Sequence, residues 1–431
     1  MHDRAVAIAL DRWGNVYVTG SNNTISEGSN IVTVKYNSSG AQQWAVSYNR
    51  SGNSNEIAQG LAVDSAGNAY VIGWTGFNVG PNDMVIIKYN TNGVQQWARI
   101  YGDPAGGNDA ANAVKLDKEG FIYVTGGSGG NATTIKYNNN GDTVWVRRFI
   151  ETGYFSTALS NTVDDSSNIY VAGLSNFGSQ PSDALVIKYN KDGILQWFRK
   201  YNGPGNNRDL LRKIALDKLG NCYATGTSLN STADTTSVLT LKYNLAGSLQ
   251  WVRLYKGPGN GSSDGMAINS DSSGNNIYIA GRSLGIGTQD DYITINYNFN
   301  GDTNWVKRYN GPGNQNDEAY ALYIDDSSNV YITGRSVGNG SSWDYATIKY
   351  NISGVQQWIM RYNGTGNADD EGVAIVLDNL MNVYITGLSV GTGSGGDYAT
   401  VKYSQIVGIL PVENQTPESF SLSQNYPNPF N

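Results

Sequence analysis

The 431-residue chain holds one cysteine and one histidine, Cys222 and His2. A disulfide has no second partner, and a zinc site, a Cys/His dyad or a Ser/His/Asp triad has too few parts. Charge is scarce as well: 15% of residues are charged, and 29 basic against 36 acidic side chains are spread along the chain for a net of −7. No basic stripe results, which argues against nucleic acid as a partner. Long apolar runs are missing, none approaching the about 18 residues of a membrane-crossing helix. The opening ten residues are not a signal peptide and lead straight into repeat sequence, so the chain reads as starting inside a longer product. Instead of the Ala/Glu/Lys/Leu bias of helical arrays there are 53 Gly, 29 Tyr and 10 Trp, which favours an all-β protein.

What is abundant is also periodic. Tyr17, Tyr70, Tyr123, Tyr170, Tyr223, Tyr278, Tyr331 and Tyr384 each begin a Tyr-x-x-Gly unit, at successive spacings of 53, 53, 47, 53, 55, 53 and 53. A second series, Tyr36, Tyr89, Tyr137, Tyr189, Tyr243, Tyr297, Tyr350 and Tyr403, follows a lysine except where Asn296 replaces it. A third, Trp44, Trp97, Trp145, Trp197, Trp251, Trp305 and Trp358, has no eighth member. A period near 50 with several short apolar runs per unit marks a propeller or solenoid, in which neighbours bury what one unit cannot.

In the seventh unit, segments 320–325, 330–334, 345–351 and 356–362 are rich in β-branched and aromatic residues and bounded by Gly, Asn, Asp and Ser, which predicts four strands. Tight turns such as Asp64-Ser65-Ala66-Gly67-Asn68 and Asn90-Thr91-Asn92-Gly93 join the outer pairs. The fold expected is an all-β, eight-bladed β-propeller of four-stranded antiparallel blades over residues 1–410, with an extended C-terminal tail at 411–431. The small, apolar first strand (Ala7, Ile8, Ala9, Leu10) is placed innermost and the fourth, with Gln250 and Arg253, outermost. Trp251, Arg253 and Tyr255 share a strand face, so the aromatics are expected to be core while the cation reaches outward. The eighth unit lacks its Trp strand, and 405–410 is the expected substitute.

The pattern Ala-x-Asp-x-x-Gly-Asn-x-Tyr-Val-Thr-Gly, as in 62–73 and 8–20, followed by Lys-Tyr-Asn and Gln-Trp, resembles the SBBP family of β-propeller repeats over about residues 5–403. The resemblance implies a structural repeat of extracellular and surface proteins, without an agreed activity. Residues 419–431, Ser-Phe-Ser-Leu-Ser-Gln-Asn-Tyr-Pro-Asn-Pro-Phe-Asn, resemble the opening of the C-terminal sorting domain of type IX secretion substrates. That likeness implies a secreted, extracellular or outer-membrane-surface location, and a partner in the type IX secretion machinery. It also implies a sorting domain that continues beyond this chain.

An up-and-down blade puts its tight turns on one face and its variable loops, here at 74–83, 174–183, 227–237 and 335–344, on the other. Binding is expected on the variable face, with Trp74, Phe77, Phe177 and Trp343 as ligand-binding aromatics. The same face gathers Asp83, Asp183, Asp291, Asp344 and Asp397 before third strands, and Glu56, Asp109, Asp209, Asp264, Asp317 and Asp370 before first strands. Rings of such oxygens are able to hold calcium or draw a cationic ligand, and the same residues serve equally as turn caps. No other cofactor is expected. The series Asp11, Asp64, Asp117, Asp164, Asp217, Asp271, Asp325 and Asp378 reads as turn chemistry. The Gly-Pro-Gly-Asn loops at 203–206, 257–260 and 311–314 lack the helix and lysine of a phosphate-binding loop. Cys222 reads as a small buried hydrophobe.

Two functions follow from this reading. The leading one is a secreted or cell-surface, non-catalytic propeller serving in binding, adhesion or scaffolding, with a protein or glycan ligand on the variable face. The alternative is a carbohydrate-active hydrolase or lyase using acidic residues near the central channel. An enzyme needs a cluster found at only one or two blades, whereas a scaffold tolerates eightfold sameness.

Overall fold

The computed structural model describes residues 3–24, 28–50, 54–77, 80–104, 106–230, 235–393, 395–405 and 419–424. Eight four-stranded antiparallel sheets form blades over 4–48, 54–101, 110–149, 154–201, 209–255, 263–309, 317–362 and 370–424, each from strands consecutive in the chain. The first strands of all eight blades line one central cavity of about 430 Å³, so the innermost position expected for them is observed. Among the described residues no helix is long and apolar enough to cross a membrane.

Local chemistry explains why each unit folds this way. Asp325 Oδ1 accepts the backbone N–H groups of Ser327 and Asn329, both at 2.9 Å, and Oδ2 accepts the Asn329 amide at 2.8 Å and the Tyr331 hydroxyl at 3.0 Å. One carboxylate thereby sets the first turn and anchors the tyrosine of the second strand, which accounts for the Asp-to-Tyr spacing of six residues. The glycine three residues after that tyrosine has a different cause. Each first strand carries a β-bulge opposite it, and the carbonyl of Ile57 lies 1.9 Å from where a Cβ on Gly73 would sit, as Glu318 does at Gly334.

The tryptophans are core, as expected, and they join blades. Trp97 packs between Tyr70 of its own blade and Tyr137 of the next, with centroids 6.1 and 6.5 Å away, and Trp251 sits likewise between Tyr223 and Tyr297. The indole also donates to a carbonyl at the tip of the next blade's outer turn, and the lysine of Lys-Tyr donates to the same oxygen. Thr91 O receives Trp44 Nε1 at 3.0 Å and Lys35 Nζ at 3.1 Å, Asn139 O receives Trp97 and Lys88, and Phe299 O receives Trp251 and Lys242. The fourth-strand arginines depart from expectation: Arg99, Arg147, Arg199 and Arg253 bind the glycine carbonyl of the same turn, at 2.5–2.8 Å, instead of reaching into solvent. A fixed carbonyl offers a stronger contact than a mobile solvated guanidinium.

Among the described residues closure uses no strand exchange between the chain ends. The fourth strand of the eighth blade is Ser419–Gln424, paired to Gly396–Ser404. The expected substitute, 405–410, lies outside the described residues beyond Gln405, and a strand comes instead from the segment read as extended tail. Its alternating Ser-Phe-Ser-Leu-Ser carries the strand period. Blade eight then packs its face on blade one: Tyr384 and Tyr398 join the cluster of Ala5, Val18, Val34 and Tyr36, Asp3 N donates to Gly396 O at 2.6 Å, Arg4 pairs with Glu371 at 2.7 Å, and Lys402 Nζ donates to Ser38 O at 3.0 Å. The lysine link of the other seams is kept here. Where the missing tryptophan would lie, a narrow gap of about 20 Å³ opens between Tyr36 and Tyr384.

Trp251→Ala removes a buried ring and its hydrogen bond from one seam, and should cost about 3–5 kcal/mol in urea denaturation. A loss below about 1 kcal/mol would show that the seams do not carry the ring's stability.

Candidate functional site

On the variable face most of the acidic candidates are engaged in holding loops. Asp83 pairs with Arg50 at 2.9 Å, Asp291 with Arg308 at 2.7 Å and Asp344 with Arg361 at 2.7 Å. Asp397 is half-buried opposite Ser389. In the set before the first strands, Asp109, Asp209, Asp317 and Asp370 accept the N–H groups of Asp103, Gly203, Gly311 and Gly364, each at 2.6 Å, while Glu56 accepts the Thr75 hydroxyl and Asp264 pairs with Arg282. These are loop clamps. Among the described residues no group of three His, Cys, Asp or Glu side chains lies close enough to hold a metal ion. Cys222 is fully buried, and burial raises its thiol pKa.

The aromatic candidates separate. Trp74 is half-buried, Trp343 is half-buried under the Arg335 guanidinium, 4.1 Å from its ring, and the Phe77 side chain lies outside the described residues. Phe177 is 52% exposed, and the structure brings it together with Asp183. Both line a pocket of about 200 Å³ between blades four and five, with Tyr154, Gln180, Asn202, Asn206 and Asn207.

Backbone geometry builds this pocket. Gly153 has φ of 82°, and the Phe177 ring lies 2.7 Å from where its Cβ would be, so only glycine lets the ring settle there. Phe177 meets Tyr154 at 5.0 Å between centroids and 57° between planes. Lys200 sits over the other ring, 3.5 Å from the Tyr154 centroid, and pairs with Glu151 at 2.6 Å. Burial raises the Asp183 pKa, and the Lys200 charge opposes that rise. The opposite wall is a Gly-Pro-Gly-Asn loop in which Asn206 holds φ of 50° and its Oδ1 accepts from Asn202. The pocket can therefore offer an aromatic platform, several amides and one carboxylate to a neutral polar ligand.

Sequence reasoning missed Tyr154, Asn202, Asn206 and Asn207, because the loop was weighed only as a phosphate cradle. It also passed over the tight-turn face, where Trp13 is 51% and Leu380 73% exposed. They line a cavity of about 580 Å³ at the closing seam, together with Tyr323 and Asp378. The available signal was the third turn position, small or polar in most blades but Trp13, Leu219 and Leu380 in three.

Asp317 gives a pH prediction. It is fully buried, and desolvation pushes its pKa up to about 6 against hydrogen bonds from Gly311 and Ser336. Between the unfolded value and that one, the folded chain holds a proton the unfolded chain has lost, so stability falls as pH rises through the window. Asp317→Asn should flatten that decline between about pH 4 and 6 in chemical denaturation. An unchanged slope would mean the carboxyl is ionised throughout.

Comparison with known proteins gives the fold and little more. No curated protein matches the chain. Among solved structures, a protein from Lactobacillus plantarum is 12% identical, with a TM-score of 0.51, covering 84% of this chain and 96% of that one. Dihydro-heme d1 dehydrogenase NirN is 11% identical over 84% and 73% of the two chains, at a TM-score of 0.49. The periplasmic gluconolactonase of Pseudomonas aeruginosa is 14% identical over 82% and 98%, at 0.46. At such identities likeness concerns architecture alone. Residues 51–81 match the SBBP β-propeller repeat, which thus lies in the second blade of an eight-bladed ring.

Proposed function

We propose that the protein is a secreted or cell-surface, non-catalytic binding propeller that takes a glycan in the pocket between blades four and five. The observation that carries this reading is the exposed Phe177 ring, tilted against Tyr154 and lining one pocket with Asp183 and three asparagines. A sugar presents an apolar C–H face and a rim of hydroxyls. An aromatic platform with amide and carboxylate partners matches both, and a pocket of about 200 Å³ suits one sugar ring. Location at the surface rests on the likeness of residues 419–431 to a type IX sorting signal. A binding role is favoured over hydrolysis because Asp83, Asp291 and Asp344 are held by arginines, and because the turn-capping carboxylates recur from blade to blade.

A glycan array probed with the full chain should show a restricted set of positive sugars. Phe177→Ala and Asp183→Asn should each weaken the best of them by about tenfold or more, with melting temperature unchanged. An array without signal, or variants that bind as the parent does, would refute the assignment.

A further inference from the structure

The central channel breaks the eightfold pattern at two points. At the level of the Lys213 Cα, which pairs with Thr225, the other seven first strands carry Ala, Gly or Ser. One level along, where Lys115 pairs with Tyr123, the others carry Ala, Thr, Asn, Tyr or Val. Small residues keep the tube open at the Lys213 level, and both lysines line the space within it.

Both lysines line the same cavity of about 430 Å³, and no aspartate or glutamate lines it with them. Among the described residues neither has an ion-pair or hydrogen-bond partner, in contrast to the seam lysines, which donate to turn oxygens or, for Lys349, to the side-chain oxygen of Gln405. Asp264, whose charge bears on Arg212, is committed to Arg282 and Thr227. Arg212, the bulge residue beside Lys213, has a buried Nε with no hydrogen-bond partner. Both lysine side chains are exposed to the water of the channel, and two like charges facing one lumen with no counter-charge on its wall set up a positive field that a bound anion would relieve.

We propose that the channel is a binding site for a small, multiply charged oxyanion, a phosphate or a dicarboxylate, bridged by Lys115 and Lys213. Burial lowers both ammonium pKa values, and the charge of Lys115 lowers that of Lys213 further. An anion between the two ammonium groups offsets the repulsion between them. The site is distinct from the pocket at Phe177 and stands without it.

Titration calorimetry of the full chain with inorganic phosphate, and separately with succinate, should show saturable binding at one site per chain. The stronger of the two identifies the headgroup. Lys115→Met or Lys213→Met should weaken binding about tenfold or more, the worth of one charge-assisted hydrogen bond, and the double variant should lose it. Lys115→Arg should restore part of it, while Lys118→Met, on the exposed turn, and Phe177→Ala should leave it intact. In the parent chain, carbon-13-labelled lysine spectra should show the two channel ε-methylenes shifting with phosphate, a readout that needs no variant. Absence of saturable binding of either anion, or binding by the double variant equal to the parent's, would overturn the proposal.

Discussion

At five of the outer turns a single backbone oxygen at the tip takes two donors from the blade before it, an indole N–H and a lysine ammonium. Thr91, Asn139, Lys191, Leu245 and Phe299 all supply such an oxygen. A carbonyl has two lone pairs, so the arrangement uses its full capacity. The lysine gives up water to reach it, and the face of a buried tyrosine such as Tyr17 or Tyr223, about 5 Å from the ammonium, compensates part of that loss. The neighbouring arginine then takes the glycine carbonyl of the same turn. Relative blade position is thus set by directional contacts at the periphery and by aromatic packing behind them, which leaves the inner strands and the variable loops free to differ.

That division explains what could be read from the amino acids. Periodic demands are visible: the Asp-to-Tyr hydrogen bond, the glycine facing a bulge, the Trp and Lys-Tyr series each need one residue type at one spacing, and together they yielded blade number, strand count and strand order. Contacts between different repeats are not periodic and were hidden. Nothing local says that Arg361 meets Asp344, or that the ring of Phe177 needs the bare Cα of Gly153 to lie on. Phe177 and Asp183 were legible as candidates since they stand out by type, whereas Asn202, Asn206 and Asn207 look like ordinary loop residues until the fold brings them across from Tyr154. The closing strand was misplaced because order along the chain favoured the nearer segment, although Ser419–Gln424 carries the cleaner alternation.

The two lysines of the channel show the same principle in reverse. Repetition makes an exception informative: where the positions equivalent to Lys213 hold Ala, Gly or Ser and none of those equivalent to Lys115 is charged, a lone long cation needs its own explanation, and two sharing one cavity share it. The variable face and the channel are then two places where a rigid, repeated frame carries features that belong to single blades, one aromatic and rich in amides, the other cationic.

The first strand of the chain lies at the hub and the last at the rim, in adjoining blades, with no shared hydrogen-bonded sheet between them. Tension applied through the C-terminal end therefore unzips Ser419–Gln424 bond by bond from the outside, whereas tension through the N-terminal end must shear Arg4–Leu10 from the hub. A molecule tethered by its C-terminal end would act as a mechanical fuse, surrendering one peripheral strand under load while seven blades and the hub keep their shape.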